Sequence, residues 1–219
     1  MALTASPYGL KPISLLGSQF NNGSATREFK IVADTTALFV GALIVLSAAG
    51  LPSAVASSPV GTKLPATSAD ATPGIVGVCT GIRYVNPGTK QPLWGQNLPI
   101  NATTAGYTEI WVQVYEDYDA VFQVQGSAAL GTFNSGTAGS GWPGAVGKNA
   151  ALGNFGGNAT TGLSTMNLVV GANGGSLAAT STLAMRIVDV VRGTESDTYP
   201  EFLVKFNVGV HSYSNSLGV

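Results

Sequence analysis

Apolar residues recur at every second position in several short stretches of this chain, and no helical stripe of useful length accompanies them. That period belongs to half-buried strands. Ile110-Trp111-Val112-Gln113-Val114-Tyr115 puts Ile110, Val112 and Val114 on one face. A short polar connection, Glu116 to Asp119, leads to Ala120-Val121-Phe122-Gln123-Val124-Gln125, and the pair predicts an antiparallel hairpin. Glu201–Val210 sets Phe202, Val204, Phe206 and Val208 on one face, as a closing strand would. Strands are also predicted at Glu28–Val32, Gly74–Ile82, Met166–Val170 and Leu183–Val191. The apolar run Ala37–Leu51 is too short to span a bilayer as a helix, which needs about 20 residues. Gly41, Ser47 and Gly50 interrupt it, so it reads as a strand pair or one long bent strand.

The segments between are unlike the strands. Residues 1–25 read as an extended N-terminal arm, broken by Pro7, Gly9, Pro12, Gly17 and the Asn21-Asn22-Gly23-Ser24 turn signal. The arm nevertheless carries Leu10, Ile13, Leu15, Leu16 and Phe20, so it should lie on something, and neighbouring chains are the expected support. Residues 52–73, rich in Ser, Ala, Thr and Pro, read as a surface loop, and Asn86-Pro87-Gly88-Thr89 as a turn. Residues 126–162 are Gly-rich and hold few strand signals, which predicts a long excursion or inserted lobe. The whole reads as an all-β chain: the arm at 1–25, then a single domain at 26–219. The expected architecture is an antiparallel β-sandwich or barrel, of jelly-roll or β-tulip type, with long Gly-rich loops.

Composition changes what that body is for. Only 10% of the 219 residues are charged, 45% are hydrophobic, and the formal net charge is -1. Soluble domains carry about 25% charged residues, and surface charge keeps lone proteins dispersed. A surface that a partner covers accounts for the deficit, which points to an assembly subunit. The ten basic residues are scattered singly, so no phosphate-tracking face is expected and nucleic acid is not an expected partner. The N-terminus lacks the basic and apolar regions of a secretory signal, so the sequons at Asn22, Asn101 and Asn158 are read as accidents of composition, and no membrane association is expected.

Catalytic chemistry finds little material. His211 is the single histidine; its neighbour Ser212 would point to the opposite face of a strand, and no Gly-x-Ser-x-Gly elbow exists. Cys79, the single cysteine, sits in an apolar strand and reads as buried. Two Cys/His residues are too few for a structural zinc site. Glu116, Asp117 and Asp119 form the one acidic cluster, without EF-hand spacing, and read as a solvated hairpin tip. Gly147-Lys148-Asn149 does not complete a phosphate loop. The expectation is a non-enzyme without metal or cofactor. Trp94 and Trp142, near prolines in loops, are candidate interface anchors.

One resemblance draws these readings together. Pro7-Tyr8-Gly9-Leu10-Lys11-Pro12 resembles the start of small virion proteins of tailed bacteriophages. Ala37-Leu38-Phe39-Val40-Gly41, Gly74-Ile75-Val76-Gly77-Val78 and Trp111-Val112-Gln113-Val114-Tyr115-Glu116-Asp117 are similar to stretches of the same group, the capsid decoration (cement) proteins. The resemblance implies an all-β body, homotrimers, and attachment to the major capsid protein on the outside of the virion head. The implied contact residues are Tyr8, Leu10, Ile13, Leu15, Leu16 and Phe20 of the arm, with Trp94 and Trp142. Another phage structural subunit, of tail or adaptor, and a carbohydrate-binding receptor module are the alternatives.

Overall fold

The computed structural model describes residues 5–15, 26–31, 37–46, 52–54, 75–117, 119–135, 140–181 and 183–207. Leu16, Phe20 and His211, and most of the loop expected at 52–73, lie outside the described residues. The described chain is all-β, built from antiparallel sheets, and consistent with a sandwich; no closed barrel is found among the described residues.

The first sheet contains six strands. In spatial order they are β1 (Lys11–Leu15), β10 (Ala120–Gln125), β16 (Glu201–Phe206), β15 (Met185–Val190), β11 (Asn149–Gly153) and β14 (Asn167–Val169). The second sheet runs β2 (Thr26–Lys30), β9 (Thr108–Tyr115), β6 (Ile75–Val85), β4 (Leu43–Leu46) and β5 (Pro52–Ala54). A sixth strand, β7 (Pro92–Gly95), pairs with the far end of β6. Two small ribbons complete the body: β3 (Leu38–Phe39) with β8 (Asn97–Leu98), and β12 (Gly157–Asn158) with β13 (Leu163–Ser164).

The alternation in β16 behaves as its sequence dictates. Phe202, Val204 and Phe206 are buried while Leu203 and Lys205 are half-buried on the other face. Phe122 of β10 stacks edge-to-face on Phe206, with ring centroids 5.2 Å apart. Tyr115, at the end of β9, reaches Phe122 in the same geometry at 6.2 Å. Leu43, Val45, Ile75 and Val78 of the second sheet join the cluster, so one apolar core ties the two sheets together. A second core lies on the other face of the second sheet, where Ile110, Val112 and Val114 meet Ile44, Cys79, Ile82, Leu38 and Leu98.

Two expectations are corrected. Ile110–Tyr115 and Ala120–Gln125 do not form a hairpin: β9 pairs with β2 and β6, while β10 pairs with β1 and β16. The polar connection is a corner carrying the chain from one sheet to the other. Both strands bury residues enough to sit inside a sheet, and alternation alone does not name the partner strand. Residues 126–162 are not an inserted lobe, since Asn149–Gly153 is a strand of the first sheet and a five-residue helix, α1 (Gly141–Ala145), packs beside β15. Residues 5–15 of the arm, for which neighbouring chains are the expected support, lie against their own chain. Lys11↔Gln123 and Pro12↔Phe122 pair across β1 and β10, and Leu10, 1% exposed, belongs to the core between the sheets.

Of the run Ala37–Leu51, residues 37–46 are described and hold two strands, β3 and β4, separated by a turn at Gly41 and paired with other strands. The Asn86–Thr89 turn forms as its residues require, with the Asn86 side-chain oxygen accepting from the Gly88 N–H at 2.8 Å and the Thr89 N–H at 3.2 Å.

Candidate interaction surfaces

Two of the motifs distant in sequence meet in space. The Leu10 N–H donates to the Gly41 carbonyl at 3.0 Å, so Tyr8-Gly9-Leu10 crosses directly over the Gly41 turn. Gly9 has φ +79° and Gly41 φ +85°, the left-handed region where a Cβ is strained. A Cβ on Gly9 would lie 2.6 Å from the Gly41 oxygen, and one on Gly41 would lie 2.7 Å from the Tyr8 oxygen. Both positions therefore need glycine, for closeness as well as conformation. The other two motifs, on β6 and β9, are paired neighbours: Val78↔Tyr115 and Cys79↔Val114.

Beside this crossing lies a cavity of about 970 Å³, lined in part by Tyr8, Lys11, Gln123, Thr161, Thr165 and Glu201. The Gln123 amide donates to the Glu201 carboxylate, and the Ser6 N–H donates to the Gln125 side-chain oxygen at 2.9 Å. The Tyr8 hydroxyl is buried beside Glu201 and Gln123 without a well-aligned hydrogen bond to either. Burial, and then the Glu201 charge, push its pKa up, so it stays protonated. The N-terminal segment is thus clasped to the first sheet through polar side chains as well as through Leu10.

The far end of the second sheet, on the face that Tyr115 turns to the first core, carries a row of four residues in direct cross-strand register. Lys30 of β2 faces Trp111 of β9; Trp111 faces Arg83 of β6; Arg83 faces Trp94 of β7. Cation and aromatic alternate along it. The Lys30 ammonium lies 5.8 Å, and the Arg83 guanidinium carbon 5.6 Å, from the Trp111 ring centroid. Such contacts contribute about 0.5–1 kcal/mol when exposed. The charges are internally balanced: Lys30 pairs with Glu109 at 3.3 Å and Arg83 with Glu28 at 3.5 Å. Glu109 also accepts from the Trp111 indole N–H at 3.4 Å. The Lys30 hydrogen bond, followed by that from Trp111, holds the Glu109 carboxyl below its ordinary pKa.

Trp94 ends the row, 62% exposed, with Leu93 also exposed on the same strand. Trp142 is 49% exposed and stands by α1 next to Phe133, 53% exposed, whose backbone packs against Gly141. Of the arm residues expected to make contacts, Tyr8 and Ile13 are half-buried and Leu10 is fully inside. Leu15 ends β1. The structure therefore does not bring the expected residues to one place. It sets Trp94 on β7 of the second sheet and Trp142 in α1 beside the first, and it buries Leu10 inside.

The groups with chemical potential are occupied structurally. Cys79 is buried in the second core, and burial pushes its thiol up to about 12. Glu116 pairs with Arg27 at 3.5 Å and Asp119 with Lys205 at 2.9 Å. Asp117 accepts from the Asp119 N–H at 2.9 Å, which folds the corner between the sheets. Among the described residues no group of three or more His, Cys, Asp or Glu is placed to hold a metal ion. No helix among them is long and apolar enough to cross a membrane. Arg83, central to the cross-strand row, carries no signal in the sequence, because its role depends on register. Comparison with known protein families, with curated proteins and with solved structures finds no match.

Proposed function

We propose that this chain is a structural, non-enzymatic protein of a tailed-phage virion that binds the outside of the head and cements major capsid subunits together as a homotrimer. The observation that carries the reading is the pairing of a charge-poor chain with large exposed aromatic residues on separate surfaces. Trp94 lies on the second sheet, and Trp142 with Phe133 lies beside the first. An anchor buried at the centre of a contact contributes most of its energy, and tryptophan is favoured there. Separate patches suit a protein that touches several subunits at once, where modest contacts add up across a symmetric lattice. The N-terminal resemblance to decoration proteins supports the same reading, with Tyr8 and Ile13 at the edge of the first sheet as further contacts.

The test is co-sedimentation of the purified protein with empty heads of the cognate phage, with Trp142→Ala and Phe133→Ala as probes. The expected result is saturable binding that these exposed substitutions weaken about tenfold or more, corresponding to at least 1.4 kcal/mol. Absence of binding to heads overturns the reading.

A further inference from the structure

Among the described residues, the cross-strand row of the second sheet ends on two open edges. On the described chain β2 pairs only with β9, and β7 only with β6. We propose that these two edges are the two halves of one head-to-tail contact between copies of this chain, with Trp94 of one copy seated beside Lys30 of the next. This deepens the homotrimer part of the function proposed above and rests on it only for the number of copies.

Three observations carry the inference. The row alternates Lys30, Trp111, Arg83, Trp94, so it begins with a cation and ends with an aromatic ring. Placing one row after another continues the alternation without a break, and an exposed indole finds a cation as Trp111 does. Strand direction fits as well. Every pairing is antiparallel, so β2 and β6 run one way and β9 and β7 the other. With four strands in the row, a second β2 laid against β7 is again antiparallel, and neither copy needs to be turned over. The edges also differ in character. The β2 edge carries Arg27, Glu28 and Lys30, whereas β7 is the uncharged Pro92-Leu93-Trp94-Gly95.

The chemistry favours this occupant over others. Trp94 is 62% exposed and its indole makes no hydrogen bond or ring contact among the described residues, whereas Trp111 is flanked by cations on both neighbouring strands. A short apolar edge strand left open is an association site. A β2–β2 contact would leave both Trp94 rings without a cation, and uncharged β7 has no cation to offer a second β7. The contact is therefore heterologous, and a heterologous contact that closes makes a ring.

The experiment is sedimentation or light-scattering mass measurement on wild type, Trp94→Ala, Lys30→Glu and an equimolar mixture of the two variants. Lys30→Ala serves as a milder second variant, and thermal unfolding shows that each remains folded. Wild type is expected to form a discrete oligomer and each variant alone a monomer. Each mixed pair keeps one intact β2 edge and one intact β7 edge, so the mixture is expected to form dimers and nothing larger. Folded variants that keep the wild-type mass, a monomeric wild type, or a mixture that stays monomeric overturns the inference. Head binding separates this from the function itself: loss of oligomers in Trp94→Ala with no head binding by wild type leaves the contact standing and removes the cement role.

Discussion

Leu10→Ala tests whether the N-terminal segment is part of the fold. Leu10 is 1% exposed and lies in the core between the two sheets, with its N–H bonded to Gly41. The substitution removes three buried carbons, a transfer loss of about 2.4 kcal/mol at ~0.8 kcal/mol each. A cavity where the core cannot close adds to this, and buried Leu→Ala changes cost about 2–5 kcal/mol in all. For a chain of this length each kcal/mol lowers the melting temperature by about 2–4 °C, so a fall of roughly 4–20 °C is expected. Urea unfolding should show a lower midpoint at nearly constant slope, because the surface exposed on unfolding hardly changes. Ile13→Ala, at a half-buried position of β1, should cost less. The loss should be independent of protein concentration, because Leu10 docks into its own chain. A destabilisation below about 1 kcal/mol, or one that appears only where copies associate, would refute the docking of this segment in its own core.

Gly41→Ala should destabilise by at least about 2 kcal/mol in thermal or urea unfolding, since it combines the left-handed penalty of ~1–2 kcal/mol with a Cβ 2.7 Å from the Tyr8 oxygen. Cys79 should resist thiol reagents in the folded protein at pH 8 and react on unfolding, because its thiol is pushed up to about 12. The native state disfavours that thiolate relative to the unfolded chain, where the thiol titrates near 9. Its contribution is therefore fully present below pH 9 and is lost as pH rises toward 12, so wild type should lose more stability over that window than Cys79→Ser. Unfolding stability near neutral pH should change little between low and high NaCl, since the four ion pairs described are partly exposed and such pairs contribute about 0–1 kcal/mol each.

Strand existence was legible where alternation was strong. Phe202, Val204 and Phe206 announce β16, and Ile110, Val112 and Val114 announce β9, because a buried face imposes period two on the sequence. Pairing was not legible. The connection Glu116–Asp119 has the length and polarity of a hairpin loop, yet it turns between sheets, and only the pairing of β9 with β2 and β6 and of β10 with β1 and β16 settles the matter. β11, written Asn149-Ala150-Ala151-Leu152-Gly153, lacks the β-branched and aromatic residues that mark strands; the first sheet holds it through Arg186 and Met185 on one side and Leu168 on the other. The apolar residues of the arm call for cover, but sequence does not say whose surface supplies it. Leu10 shows that its own core does. Trp94 was singled out from its surroundings alone, whereas its alignment with Arg83, Trp111 and Lys30 exists only once the register of four strands is known.

The cement role is tested most directly by heating cognate heads with and without this protein, after a wash in about 1 M NaCl, which screens exposed charges more than ~3 Å apart. A charge-poor protein attached through Trp142, Phe133 and similar apolar groups should survive the wash, since apolar burial at roughly 25 cal/mol per Å² does not depend on salt in that way. Binding only to the assembled shell stabilises that shell by mass action. The expected result is that decorated heads retain the protein through the wash and rupture at a higher temperature than bare heads. Release by salt, or identical rupture temperatures with the protein bound, would contradict the role.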